Sequence, residues 1–199
     1  GVPCAKLAKR CADWGLGSAE FFAGIPGTIG GALAMNAGAF GGETWRHVTS
    51  VETINRQGRI QQRDPDAYRV GYRSVVGPAD EWFVSAVFRF EHGETGREDI
   101  REVLARRKAS QPIGLPSCGS VFRYPPGDHA ARLIEARGLT GHCIGGACVS
   151  DMHANFIINT GAATAADIES LIDHVRDTVE QEHGVSLEPE VRVIGEITR

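Results

Sequence analysis

The stretch Phe21–Glu43, FFAGIPGTIGGALAMNAGAFGGE, holds seven glycines in twenty-three residues. It is too rich in glycine for one long regular element and too apolar for an exposed linker. It reads as a buried loop that approaches a ligand, with a short helix inside. Glycines let a backbone turn tightly or come close to a bound group, and successive N–H groups can cradle an anion. The stretch has neither the Lys-Ser/Thr of a P-loop nor a GxGxxG turn, so a tight structural turn and a cofactor-cradling loop both stay open.

Working outward, GVPCAKLAKRCADWGLG at the start predicts a helix, with Pro3 in its first turn, an apolar stripe through Leu7, Ala8 and Cys11, and Gly15 at its end. From Val48 two β-rich runs joined at Arg56-Gln57-Gly58 predict a hairpin, and Glu81–His92 predicts a further strand. A helix follows from about Arg97, with acids early and bases late, until Pro112 stops it. Asp128 to Arg137 reads as a helix ended by Gly138. HCIGGACVSDMHANFIINTG predicts two short strands around a turn. A long amphipathic helix begins at Thr164, with Glu169 as its early acid, and closes at Gly184. PEVRVIGE, 189–196, predicts a last strand. Hairpins and helices without regular βαβ alternation give an α+β fold class, with a boundary near residues 93–98.

The 199 residues are 42% hydrophobic, enough for a core, and the net charge of −4 offers no field for nucleic acid or an anionic surface. No run approaches the ~20 apolar residues of a membrane-spanning helix, and no basic-then-apolar leader opens the chain. A cytoplasmic protein with a small-molecule partner, and neither nucleic acid nor membrane as partner, is expected. Five cysteines, an odd number without a CxxC pair, argue against a disulfide framework and a structural zinc site, so reduced and mostly buried thiols are expected.

Several residues invite chemistry. Arg73 in YRVGYRS could grip a carboxylate with its planar fork, or could be an ordinary surface arginine. Glu190 opens an apolar run, where a half-buried carboxylate needs a partner, while Glu188 could be the solvated member of the pair. In LPSCGSVFRYP, Leu115–Pro125, Ser120 could be a nucleophile, a proton donor or a turn residue. His129 and His153 raise a Ser-His hydrolase, but Ser120 sits in no GxSxG elbow, and capping or turn roles suit the histidines.

Five stretches in order, IPGTIGGALAMNAGAFGGE, YRVGYRS, QPIGLPSCGSVF, HANFIINTG and LEPEVRVIGE, resemble the UDP-N-acetylenolpyruvoylglucosamine reductase family across essentially the whole chain. The resemblance implies the second subdomain of a two-part, vanillyl-alcohol-oxidase-like FAD-binding domain over residues 1–96, and an α+β substrate-binding domain over 97–199. It implies that NADPH reduces a bound FAD, and that hydride then passes to UDP-N-acetylglucosamine enolpyruvate to give UDP-N-acetylmuramate for the cell wall. Ser120 then matches the proton donor, Glu190 the active-site glutamate, and Arg73 a cation for the substrate carboxylate. Tyr72 and His153 match substrate-side positions. Ile25, Pro26, Gly27, Thr28, Gly30, Gly31, Ala32, Asn36 and Gly38 match the second flavin-binding segment, and Arg107 an arginine near the flavin. The short span between Arg73 and Ser120 matches members without a substrate-covering loop.

Two departures stand out. Tyr124 takes a substrate-binding position where the family usually has asparagine. The family's N-terminal flavin-binding part, with its pyrophosphate loop, has no counterpart here, as in a fragment of a longer enzyme. A flavin-free module that binds the UDP-sugar without catalysis is therefore the alternative.

Overall fold

The computed structural model describes residues 1–93 and 96–195. Of the expected boundary at 93–98, residues 94 and 95 lie outside the described residues. Two compact units, Gly1–Arg107 and Lys108–Arg199, divide the chain. The architecture is α+β, and every pairing of named strands among the described residues is antiparallel.

In the first unit, α1 (Cys4–Asp13) buries Cys4, Ala8 and Cys11, the i, i+4, i+7 stripe of an amphipathic helix. Pro3 sits just before the helix as its N-cap, where its lack of an N–H costs nothing, rather than inside the first turn. Trp14 closes the helix ahead of Gly15, whose φ is +65°. The start of the chain lies along the glycine-rich stretch: Cys4 N–H donates to Gly27 C=O at 2.9 Å and Ile29 N–H to Val2 C=O at 2.8 Å. The expected short helix is α2 (Ile29–Met35), capped by the Thr28 hydroxyl and ended by Asn36 in the left-handed region. Short strands β1 (Gly38–Ala39) and β2 (Gly42–Glu43) follow.

The predicted hairpin is β3 (Val48–Asn55) with β4 (Ile60–Arg63), and its turn is fixed by Asn55 Oδ1, which accepts the N–H groups of Gln57 and Arg59. The strands β5 (Arg69–Gly71) and β6 (Ser74–Val76) form a second hairpin tipped by Tyr72 and Arg73. β7 (Glu81–Phe88) completes the sheet β4-β3-β7. The helix α3 (Arg97–Ser110) contributes Val103 and Ile100 to the cluster of Phe21, Phe22 and Ala32. By packing, then, α3 belongs mainly with the first unit, and the units divide near its C-terminal end.

In the second unit the sheet runs β8-β11-β10-β9, from β8 (Ser117–Ser120), β9 (Cys143–Ile144), β10 (Ala147–Val149) and β11 (Phe156–Asn159). The helices α4 (Ala130–Ala136) and α5 (Ala165–His183) share its core, in which Leu133, Ile134, Leu171, Val175 and Val179 are at most 2% exposed. Burying each such side chain is worth roughly 1.5–3 kcal/mol.

Four expectations need correction. The segment after His142 forms three strands, not two, because β9 and β10 close a tight hairpin over Gly145 and Gly146. That hairpin sets Cys143 directly across from Cys148, Cα atoms 4.1 Å apart, and the two form a disulfide. This is the close separation of a facing cross-strand pair, which a search for CxxC misses. Cys4 and Cys11 are buried free thiols, and Cys118 is free and exposed. The capping box of α5 uses Asp167 with Thr164, not Glu169, because N3 is the position whose side chain reaches back to the cap. The last strand does not form among the described residues: only Pro189 bridges Phe122, and residue 196 lies outside them.

Candidate functional site

Six of the seven glycines between Phe21 and Glu43 fall into two groups, the seventh, Gly41, lying at φ +86°. A Cβ on Gly24 would lie 2.7 Å from the Phe40 ring, on Gly38 2.5 Å from the Gly42 carbonyl oxygen, and on Gly42 2.4 Å from the Phe21 ring. Packing alone demands these three. A Cβ on Gly27 or Gly30 would meet nothing within 4 Å, and on Gly31 only the Thr28 hydroxyl at 3.8 Å. Neither packing nor a positive φ requires glycine there. What remains is an accessible backbone, with Pro26, Gly27, Thr28 and Gly31 exposed beside half-buried Ile25. Such a cradle suits a large planar or pyrophosphate-bearing cofactor, whose binding needs close approach to main-chain N–H groups.

Behind this surface stands Asn36, 4% exposed, with three structural tasks. Its Oδ1 accepts Trp45 N–H at 3.1 Å, and its Nδ2 donates to Gly71 C=O at 3.1 Å and to Glu43 at 3.4 Å. The glycine-rich stretch is thereby tied to the hairpin that carries Tyr72 and Arg73. Arg73 adds a second tie, donating through an Nη to Gly38 C=O at 3.1 Å while its guanidinium carbon lies 5.5 Å from the Tyr72 ring centroid. Arg73 is half-buried with φ +50°, so it is no ordinary surface arginine. Ala32 is core, and burial holds the Arg107 guanidinium below its usual range. A separate cavity of about 700 Å3 in this unit is lined by Glu20, Phe21, Phe40, His47, Glu102 and Arg106 among others, and by none of the expected site residues.

In the second unit Ser120 ends β8. Ser117 faces Ile158 and Ser120 faces Phe156, so three steps along β8 match two along β11. The extra residue is absorbed by a bulge around Cys118 and Gly119, with Gly119 at φ +82°, and such bulges re-aim the side chain that follows. The segment beyond α5 runs beside this strand. Glu190 N–H donates to Val121 C=O at 2.8 Å, and Arg123 N–H to Glu188 C=O at 2.9 Å. Glu188 is the solvated member of the pair, exposed and ion-paired to Arg123 at 3.0 Å, while Glu190 is half-buried. The Glu190 backbone is thus tied to Val121, the residue after Ser120.

The other expected residues are arranged differently. His153 takes a turn role: its Nδ1 accepts Asn155 N–H at 3.2 Å, and burial pushes its pKa down, so it is neutral near pH 7. His129 stands before α4 with its ring edge-on to Tyr124 at 4.7 Å. Among the described residues neither histidine is hydrogen-bonded to Ser120, which removes the relay a Ser-His hydrolase needs. Cys118 has an exposed surface, but its sulfur is sufficiently enclosed for burial to raise its pKa, so it stays a protonated, weakly nucleophilic thiol. No helix is long and apolar enough to cross a membrane among the described residues.

Comparison with known proteins bears on the family of the chain. The family described as "UDP-N-acetylenolpyruvoylglucosamine reductase, C-terminal domain" matches residues 111–194, and an "FAD binding domain" family matches residues 1–63. UDP-N-acetylenolpyruvoylglucosamine reductases of Alkalilimnicola ehrlichii and Methylococcus capsulatus are each 61% identical to this chain over 198 residues, 98% of its length. The chain spans 66% and 65% of those relatives. The crystal structure of UDP-N-acetylenolpyruvylglucosamine reductase from Thermus caldophilus superposes with a TM-score of 0.83 at 33% identity, covering 95% of this chain and 68% of that one. A solved relative 33% identical and matched over 68% of its length, together with the family models over residues 1–63 and 111–194, establishes that this protein belongs to the UDP-N-acetylenolpyruvoylglucosamine reductase family.

Proposed function

We propose that this chain takes part in the flavin-dependent reduction of UDP-N-acetylglucosamine enolpyruvate to UDP-N-acetylmuramate, with NADPH as electron donor, in the cytoplasmic synthesis of cell-wall precursor. The observation that carries this reading is a main-chain one: Ser120, presented by a bulge, directly precedes Val121, and Val121 C=O accepts the N–H of half-buried Glu190. In this reading the first unit is the remaining part of the FAD-binding domain and the second the substrate-binding domain.

The open backbone from Ile25 to Gly31, with Arg107, would hold FAD, which when bound supplies the two-electron chemistry. The protein's own residues handle charge and protons. Reduction at the terminal carbon of the enol ether pushes an electron pair onto the carbon beside the carboxylate. Arg73 stabilises that charge through the carboxylate, and Glu190 polarises the developing centre. Ser120 gives its hydroxyl proton to the carbon, forming a C–H bond and leaving an alkoxide that water reprotonates. A hydroxyl is a weak acid, but a developing carbanion is far more basic, and a neutral donor adds no opposing charge. Tyr72, Tyr124 and His153 contribute to holding the UDP-sugar, with the Tyr124 phenol and ring in place of an amide.

A visible spectrum of the purified chain with and without FAD tests this. Bound-flavin bands that bleach with NADPH and recover on adding UDP-N-acetylglucosamine enolpyruvate are expected. UDP-sugar binding without flavin uptake would instead identify a binding module, and ester hydrolysis lost in Ser120→Ala would identify a hydrolase.

A further inference from the structure

Asn155 was not among the residues the sequence singled out, yet it is fully buried and lies against the strand that carries Ser120. Its side-chain amide clamps the two peptide groups that flank one residue: Oδ1 accepts Phe122 N–H at 2.9 Å, and Nδ2 donates to Phe122 C=O at 2.8 Å. Its own backbone carbonyl accepts Val121 N–H at 2.8 Å. Three bonds from one residue therefore fix Val121 and Phe122, immediately after Ser120.

The other side of the same two residues holds the Glu190 segment. Val121 C=O accepts Glu190 N–H, and Phe122 bridges Pro189. That segment joins no sheet among the described residues, so these bonds set its register. In extended chain a slip of one residue turns a side chain to the opposite face. We propose that Asn155 is a positioning residue: by locking Val121 and Phe122 it fixes where Ser120 and Glu190 stand relative to one another. The inference rests on the roles proposed above for those two residues.

The test uses Asn155→Asp, close in size to the original. Its carboxylate accepts Phe122 N–H in either state, but only the protonated form can donate to Phe122 C=O. Burial favours that neutral form and raises the pKa, so the variant acquires a pH dependence that asparagine lacks. At pH 6 the amides of Phe122 and Glu190 should keep wild-type protection from hydrogen exchange, after correction for intrinsic rates. At pH 8 they should exchange roughly tenfold faster, the effect of one lost hydrogen bond, with β10 and α5 unaffected. In FAD-loaded protein, reoxidation of the flavin by the enolpyruvyl substrate should slow over the same pH range, while bleaching by NADPH stays constant.

Asn155→Ser, which cannot bond both groups at once, should give the same selective pattern without the pH dependence and serves if the aspartate variant does not fold. Uniform loss of protection with both half-reactions falling together would reduce Asn155 to a fold stabiliser and overturn the proposal, as would unchanged protection at Glu190. Ser120→Ala run in parallel separates the two levels. If it reoxidises flavin at the wild-type rate, the reaction reading fails, while amide exchange still decides whether the clamp exists.

Discussion

The candidate site residues of the two units are held on opposite principles. In the first unit, irregular glycine-rich backbone is left open and held from behind by side chains, chiefly Asn36 and Arg73. In the second, Ser120 and Glu190 hang on a ladder of main-chain bonds beside a fifteen-residue core. The difference follows from the tasks. A surface that receives a large cofactor must expose peptide groups, whereas a proton donor must stand within hydrogen-bond reach of one atom, and misplacement by about 1 Å can cost two orders of magnitude.

The second unit is the more sensitive to a single added methyl group. A Cβ on Gly146 would lie 2.3 Å from Ala163 N, a backbone contact with no flexible end to yield, beside the Asp167 carboxylate that accepts Gly146 N–H. Gly146→Ala should destabilise the second unit by about 3 kcal/mol, the upper end for overpacking, seen as a lowered Tm; an unchanged Tm would show that the hairpin moves aside. Arg73→Ala should slow substrate-driven flavin reoxidation about 10²-fold, the scale for losing one charge-stabilising group. If flavin bleaching slows equally, Arg73 serves the cofactor surface instead.

Next comes Gly30→Ala, in a helix and facing open space. It should raise stability by roughly 0.5–1 kcal/mol while weakening FAD binding in a titration; intact FAD affinity would contradict the cradle. The smallest effect concerns a structural pair. Arg63 Nε lies 3.2 Å from Glu81 Oε2, which also accepts the Thr53 hydroxyl at 2.6 Å. These bonds, Arg63 first and then Thr53, hold the Glu81 carboxyl below its ordinary value of 4.5. Its stabilisation is therefore complete above about pH 4.5 and lost as pH falls through the lower folded pKa. Glu81→Gln should flatten the acid side of a Tm-versus-pH curve; an unaltered slope would show that the pair contributes nothing.

Much of the fold was legible because its signals are local. Hairpin turns, caps and helix stripes are written within a few residues, as at Arg56-Gln57-Gly58 and Thr164. What was not legible depends on partners far along the chain. The glycine cluster was visible, but only the fold separates Gly24, Gly38 and Gly42, which packing requires, from Gly27, Gly30 and Gly31, which it does not. The apolar run after Pro189 suggested a strand, but pairing depends on a neighbouring edge that the run itself does not encode. The Cys143–Cys148 pair depends on hairpin register. Asn155 was missed because its partner Phe122 is thirty-three residues earlier in the chain. The signal was there in HANFII: a polar residue leading an apolar run goes into the core and must find hydrogen bonds.

The central claim is that Ser120 donates the proton in the substrate half-reaction. It is tested most directly by mixing NADPH-bleached, FAD-loaded Ser120→Ala with UDP-N-acetylglucosamine enolpyruvate under anaerobic conditions and following flavin absorbance. Bleaching by NADPH at the wild-type rate is expected, with recovery slowed by about 10²–10⁴-fold, the range for a lost general acid. Equal losses in both half-reactions, or recovery at the wild-type rate, would contradict it.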